Sequence, residues 1–152
     1  MKTLIKNLVL LPVLSALLGL ILAGRAKAQI FTNLHSFTGS DGAGSVAGLI
    51  MEGDTLYGTA ASGGSSGSGT VFKLNTDGTG FTNLYNFTGG SDGANPFSTL
   101  VLSNNRLYGT ANTGGNGSPS HAASGTVFAV NSDGTGFTNL YRFTALSTGG
   151  TS

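Results

Sequence analysis

From residue 29 onward, short runs of alternating apolar and polar residues are separated by clusters of Gly, Ser, Asn and Asp. Along residues 81–87, Phe81, Asn83, Tyr85 and Phe87 share one face of an extended segment, and Thr82, Leu84 and Asn86 the other. Phe72 and Leu74 alternate in the same way with Val71 and the stem of Lys73. Apolar groups on both faces predict small sheets covered on two sides. The chain holds 26 glycines. Interior glycine costs ~1 kcal/mol in a helix, so this content suits an all-β chain with many tight turns.

The pattern repeats. Phe31-Thr32-Asn33-Leu34-His35-Ser36-Phe37-Thr38 returns at Phe81–Thr88 and again at Phe137–Thr144, which places the copies 50 and then 56 residues apart. Between them Leu56-Tyr57-Gly58-Thr59-Ala60 matches Leu107-Tyr108-Gly109-Thr110-Ala111, and Ser68-Gly69-Thr70-Val71-Phe72 matches Ser124-Gly125-Thr126-Val127-Phe128. The longer spacing comes from one residue added before Asp92-Gly93 and five in the loop after Tyr108-Gly109-Thr110. Length variation confined to Gly/Ser/Asn-rich loops leaves a constant strand frame.

Each repeat reads as four strands. The first covers about 46–51 and 97–102, the second 55–60 and 106–111, the third 69–75 and 125–131, and the fourth 81–88 and 137–144. An orphan copy of the fourth strand covers 31–38. Gly53-Asp54 and Asn104-Asn105 supply tight turns that tolerate positive φ, and Asp77-Gly78 and Asp133-Gly134 mark hairpins. Four antiparallel strands in about 50 residues, covered on both faces, predict the blade of a β-propeller: about two blades plus an extra strand. Repeats are expected over about 31–80 and 81–136, with a partial copy over 137–152. Closure takes typically 4–8 blades, so the chain reads as a piece of a longer repeat protein.

The first 28 residues stand apart. A basic start (Lys2, Lys6) precedes an apolar run from Leu8 to Ala23, and Ala26-Lys27-Ala28 fits a signal-peptidase site with the cut between Ala28 and Gln29. Export follows from this leader; an uncleaved membrane anchor is the alternative, though the run is near the ~17-residue lower limit for a span. The leader carries four of the seven basic residues. What remains is Lys73, Arg106 and Arg142 against six acids, a net −3, with no basic patch for nucleic acid. No cysteine is present, which excludes a thiolate nucleophile, a disulfide framework and a Cys-based zinc site.

The order Leu-Tyr-Gly-Thr, Gly-Gly, Gly-Thr-Val-Phe, Asp-Gly-Thr-Gly and Leu-Tyr-x-Phe resembles the Gloeo/Verruco (GloVer) tandem repeat, over residues 31–144. The resemblance implies a secreted or surface bacterial protein with many repeat copies. It carries no established reaction or ligand and passes on no catalytic residues. Three departures stand out: His35 where the other copies have Tyr85 and Tyr141, Gly44-Ser45 in place of Asn95-Pro96, and loss of the Asp-Gly signal after Thr144.

Candidate sites are few. Tyr57 and Tyr108 recur at one repeat position and suit either sugar stacking or packing between blades. His121 lies in the extended loop without a recognisable triad around it, and His35 is expected to pack as the tyrosine it replaces does. Asp41, Asp77, Asp92 and Asp133 each stand alone before or near a Gly, which favours turns over the six to eight oxygens calcium needs. The reading is therefore a secreted or cell-surface repeat protein with a structural, adhesive or binding role, without catalysis and without a cofactor. Its expected partners are a surface glycan, another protein or further blades of the same protein, and it meets the membrane only if the leader is uncleaved. A carbohydrate-binding module, or a fragment of a propeller enzyme whose site residues lie outside this chain, are the alternatives.

Overall fold

The computed structural model describes residues 31–115 and 123–144. The expected leader, the expected cleavage site at Ala28/Gln29 and His121 lie outside them. The chain divides into two compact units, Met1–Thr32 and Asn33–Ser152. Of the first, only Phe31 and Thr32 are described, as irregular backbone. The described residues of the second form eight strands in two four-stranded antiparallel sheets. The first sheet is β1 (Ile50–Glu52), β2 (Thr55–Ala60), β3 (Thr70–Asn75) and β4 (Thr82–Asn86), in that spatial order. The second is β5 (Val101–Ser103), β6 (Arg106–Ala111), β7 (Ala123–Asn131) and β8 (Thr138–Thr144), likewise in order. The four-strand repeat and the all-β class are thus as the sequence pattern predicts.

The turns follow their residues. Asn104 and Asn105 both adopt positive φ (50° and 59°), as a type I′ hairpin requires. The first copy sets only Gly53 there (φ 55°), the type II′ arrangement that wants glycine in first place. At the β3–β4 hairpin the Asp77 carboxylate accepts bonds from the Thr79 amide (2.9 Å) and hydroxyl (2.7 Å). Asp133 repeats this with Thr135 at 2.9 and 2.7 Å. These aspartates organise turns, and the hydroxyl and amide hydrogen bonds hold both carboxyls below their ordinary range.

Three expectations need correction. The first strand of each repeat is three residues long, β1 and β5, because residues 46–49 and 97–100 leave the ladder. Pro96 has no N–H to give, and Gly48 N–H donates to the Thr99 hydroxyl (3.1 Å) instead of to a strand. The orphan segment 31–38 is not a strand. It packs instead through Leu34 and Phe37 on the cluster of Ala60, Phe72 and Leu74. Finally, the fourth strand does not alternate strictly. Register slips between Val71 and Phe72, which face Tyr85 and Asn83, so Leu84 is the extra residue of a bulge. The same slip recurs between Val127 and Phe128, around Leu140. A bulge rotates the side chains beyond it. Phe81 therefore packs on Phe72, Leu74 and Leu56, on one side of the first sheet. Leu84 and Phe87, three residues apart, both reach the other side and the second sheet.

The core lies between the sheets. Tyr57, Val71, Leu84 and Phe87 of the first repeat meet Leu100, Leu107, Phe128 and Val130 of the second, all buried. Gly109 makes this close packing possible, and Gly58 does the same for the Ala60–Phe72–Leu74 cluster on the other face of the first sheet. A Cβ on Gly58 would lie 2.6 Å from the Phe72 ring, and one on Gly109 2.6 Å from the Phe128 ring. Each phenylalanine lies across the second strand of its own sheet.

Candidate functional site

The most organised side-chain cluster is a latch that joins one repeat to the next, and it is built twice. Tyr85, on β4, stacks on Phe137 with centroids 3.6 Å apart and planes within 4°. Its hydroxyl donates to the Asp92 carboxylate at 3.1 Å. Asp92 also accepts from the Thr88 amide (2.8 Å) and the Thr88 hydroxyl (2.5 Å). One repeat earlier, His35 stacks on Phe81 at 3.8 Å and 6°, and its Nε2 lies 3.0 Å from the Asp41 carboxylate. Thr38 bonds Asp41 through its amide (2.7 Å) and hydroxyl (3.0 Å). His35 thus takes the place of the repeat tyrosine, as expected from its sequence position.

The latch is matched at the backbone. A Cβ on Gly42 would meet the Ala60 methyl at 2.8 Å, and one on Gly93 the Ala111 methyl at 2.8 Å. Gly42 and Gly93 have φ of 137° and 103°, so the Asp-Gly pair combines a turn with a close approach to the second strand. Thr126 Oγ1 donates to the Asp92 carbonyl at 3.2 Å, and Thr70 repeats that bond to Asp41 at 3.5 Å.

The electrostatics follow burial and bonding. Burial, helped by the Asp92 charge and by its hydrogen bond, pushes the Tyr85 phenol up to about 12. Burial also pushes the Asp92 carboxyl up, but hydrogen bonds from Thr88 and Tyr85 outweigh it and hold the group below its usual range. The Thr88 amide and hydroxyl are thereby given a charged acceptor, and the residue keeps its charge at neutral pH.

The sequence-derived candidates fall elsewhere. Tyr57 is buried in the core between the sheets, which leaves no ring face for a ligand. Tyr108, its repeat partner, is half-buried on the far side of the second sheet. The two tyrosines do not converge. A polar cleft of about 360 Å³ lies at the hairpin ends of the second sheet, lined by Asn104, Asn105, Asn131, Ser132 and Asp133. Among the described residues no group of three or more His, Asp or Glu side chains is placed to hold a metal ion. The Asp-Gly context of Asp41 and Asp92 predicts a turn and not their role as latch acceptors. The signal is there: an acid six or seven residues beyond the repeat aromatic, preceded by Thr three or four residues earlier.

A search of curated proteins returns no match. The family model for the Gloeobacter/Verrucomicrobia repeat matches residues 17–152. With the same latch, bulge and hairpins built into consecutive sheets, the chain belongs to the Gloeobacter/Verrucomicrobia repeat family.

Proposed function

We propose that this chain is an exported surface or extracellular repeat protein, acting as a non-enzymatic scaffold that adheres or binds through its loops. In this reading its two sheets are successive blades of a propeller-like array. The observation that carries it is the latch: Tyr85–Phe137–Asp92 and His35–Phe81–Asp41 spend their aromatic and acidic groups on joining repeats. The organised polar chemistry is consumed by assembly, as a scaffold requires. The leader motif supports export. Fractionation of the native host, with N-terminal sequencing, tests this. Recovery outside the cytoplasm with a chain starting at Gln29 is expected; an unprocessed cytoplasmic chain overturns it.

A second reading, carbohydrate binding, has one observation in its favour. The cleft at Asn104, Asn105 and Asn131 offers several amide groups on hairpins held by their own hydrogen bonds. A glycan array at micromolar protein separates the two readings, since silence across all sugars removes the second.

A further inference from the structure

The polar cleft of the second sheet is built from the β5–β6 and β7–β8 turns. The two turns are tied together, because the Ser132 amide donates to the Asn105 carbonyl at 2.9 Å. Each is also fixed from within. Asn104 and Asn105 both hold positive φ, and the Asn131 side-chain nitrogen donates to the Thr135 hydroxyl at 3.0 Å. The Asp133 carboxylate accepts from Thr135 through one oxygen only. Its second oxygen is left over, as are the Asn131 amide oxygen and the Ser132 hydroxyl. The side-chain amides of Asn104 and Asn105 have no partner at all among the described residues. A fixed backbone with unused donors and acceptors is pre-organised, which lowers the ordering cost of binding.

This corner lies outside the surfaces on which sheets stack. Its counterpart on the first sheet is Gly53-Asp54 with Asn75, Thr76 and Asp77, tied by the same bond from the Thr76 amide to the Asp54 carbonyl (2.8 Å). Asp54, Thr76 and Asp77 are exposed although the second sheet packs on the first. Stacking on a following sheet therefore leaves such a corner open. The two corners differ in chemistry. The first carries two carboxylates and one amide, the second one carboxylate and three amides.

We infer that the corner of the second sheet binds a neutral sugar unit through hydroxyls on adjacent carbons, an assignment that rests on the carbohydrate reading of this cleft. A sugar hydroxyl both donates and accepts, so it needs a mixed set of partners. The Asn104 and Asn105 amides supply both kinds, and the second Asp133 oxygen accepts. The volume of about 360 Å³ is near the lower end for ligand sites, about 300–1,000 Å³, which suits a mono- or disaccharide unit. Charge selects against acidic sugars. The Thr135 hydroxyl and amide hold the Asp133 carboxyl below its ordinary range, so it is ionised at neutral pH, and no cation stands among the lining residues to offset it. The first corner, with two carboxylates and neither of those amides, is the weaker binder.

The test is a nuclear magnetic resonance titration of nitrogen-labelled protein with the methyl glycosides of glucose, galactose and mannose, and with glucuronate as the acidic comparison. The side-chain amide signals of Asn104 and Asn105 should shift with at least one neutral glycoside at millimolar concentration and stay still with glucuronate. The Asn104→Gly, Asn105→Gly double variant keeps residues that accept positive φ and removes both amides; binding should weaken at least about tenfold. Asp133→Asn retains the oxygen that Thr135 uses and should admit glucuronate. Circular dichroism checks that both variants fold. Sugar binding that leaves the two amide signals unmoved, or that the double variant does not weaken, overturns this site while the carbohydrate reading stands. Preference for glucuronate over every neutral glycoside overturns the neutral class. No binding to any sugar, in the titration and on the glycan array alike, overturns both.

Discussion

The repeat phenylalanine occurs three times, at Phe37, Phe87 and Phe143, in three degrees of cover. Phe87 is fully buried and packs edge-on to Phe128 at 5.1 Å, to Tyr85 at 5.2 Å and to Phe137 at 5.9 Å. Truncating such a ring removes its transfer free energy and opens a cavity, which costs about 3–5 kcal/mol. Each lost aromatic pair accounts for roughly 0.5–1.5 kcal/mol within the pairing energy of such clusters. A domain of about 100 residues has a total stability of about 5–15 kcal/mol and loses ~4–8 °C of Tm per kcal/mol. Phe87→Ala should therefore lower Tm by on the order of 20 °C, or leave the protein unfolded at room temperature. Phe143 is 44% exposed, and Phe143→Ala should cost less than about 1 kcal/mol. Phe37→Ala, half-buried against Phe72 and Phe81, should fall between. Thermal and urea unfolding of dilute protein, followed by far-UV circular dichroism, reads all three. Equal costs at the three positions would refute the directional packing described above, as would a loss under about 1 kcal/mol at Phe87.

The Tyr85–Asp92 pair predicts two pH limbs. A tyrosine whose folded pKa is raised to about 12 contributes stability that is complete below its unfolded value near 10 and is lost as pH rises between them. Tyr85→Phe should remove that alkaline loss, measured by denaturation at pH 9, 10 and 11. Asp92, held low, contributes stability that is present above the ordinary carboxylate value of 3.8 and is lost as pH falls through its folded pKa. Asp92→Ala should cost about 2–3 kcal/mol at pH 7, for the loss of a charged acceptor, and should flatten the acid limb. Gly109→Ala should destabilise more than Gly58→Ala, by unfolding measurements. Its Cβ meets a buried Leu100 at 2.9 Å, whereas Gly58 faces a half-exposed Leu49 that can yield, and overpacking costs typically ~1–3 kcal/mol.

Much of this fold was legible in the sequence because its signals are local. Asn104-Asn105 and Asp77-Gly78 state their turns through backbone preference alone, and the second and third strands ended within two residues of expectation. Three features required tertiary information. The bulge at Leu84 is visible only through the three-residue step from Leu84 to Phe87, which a period of two cannot place on one side. The 31–38 segment carries a strand sequence, yet it is held through side chains, Leu34 and Phe37 packing on Ala60, Phe72 and Leu74. Tyr57 and Tyr108 have the same local sequence and different exposure, because burial depends on which side of the sheet another repeat covers. The latch was half-readable. The repeat alignment shows His35 in the place of a Tyr, while the Asp-Gly context of Asp41 and Asp92 signals only a turn and carries no local mark of their bonds to the aromatic side chains.

Consecutive repeats stack ring on ring, Tyr85 and Phe87 of one against Phe137 and Phe128 of the next. Nuclear Overhauser spectroscopy on protein labelled at phenylalanine and tyrosine reads this without perturbing it. Cross-peaks are predicted between the Phe87 and Phe128 rings and between Tyr85 and Phe137, whose centroids lie 5.1 and 3.6 Å apart. Well-dispersed strand amides that lack both cross-peaks would contradict this stacking, for the sheets would then form without packing on one another.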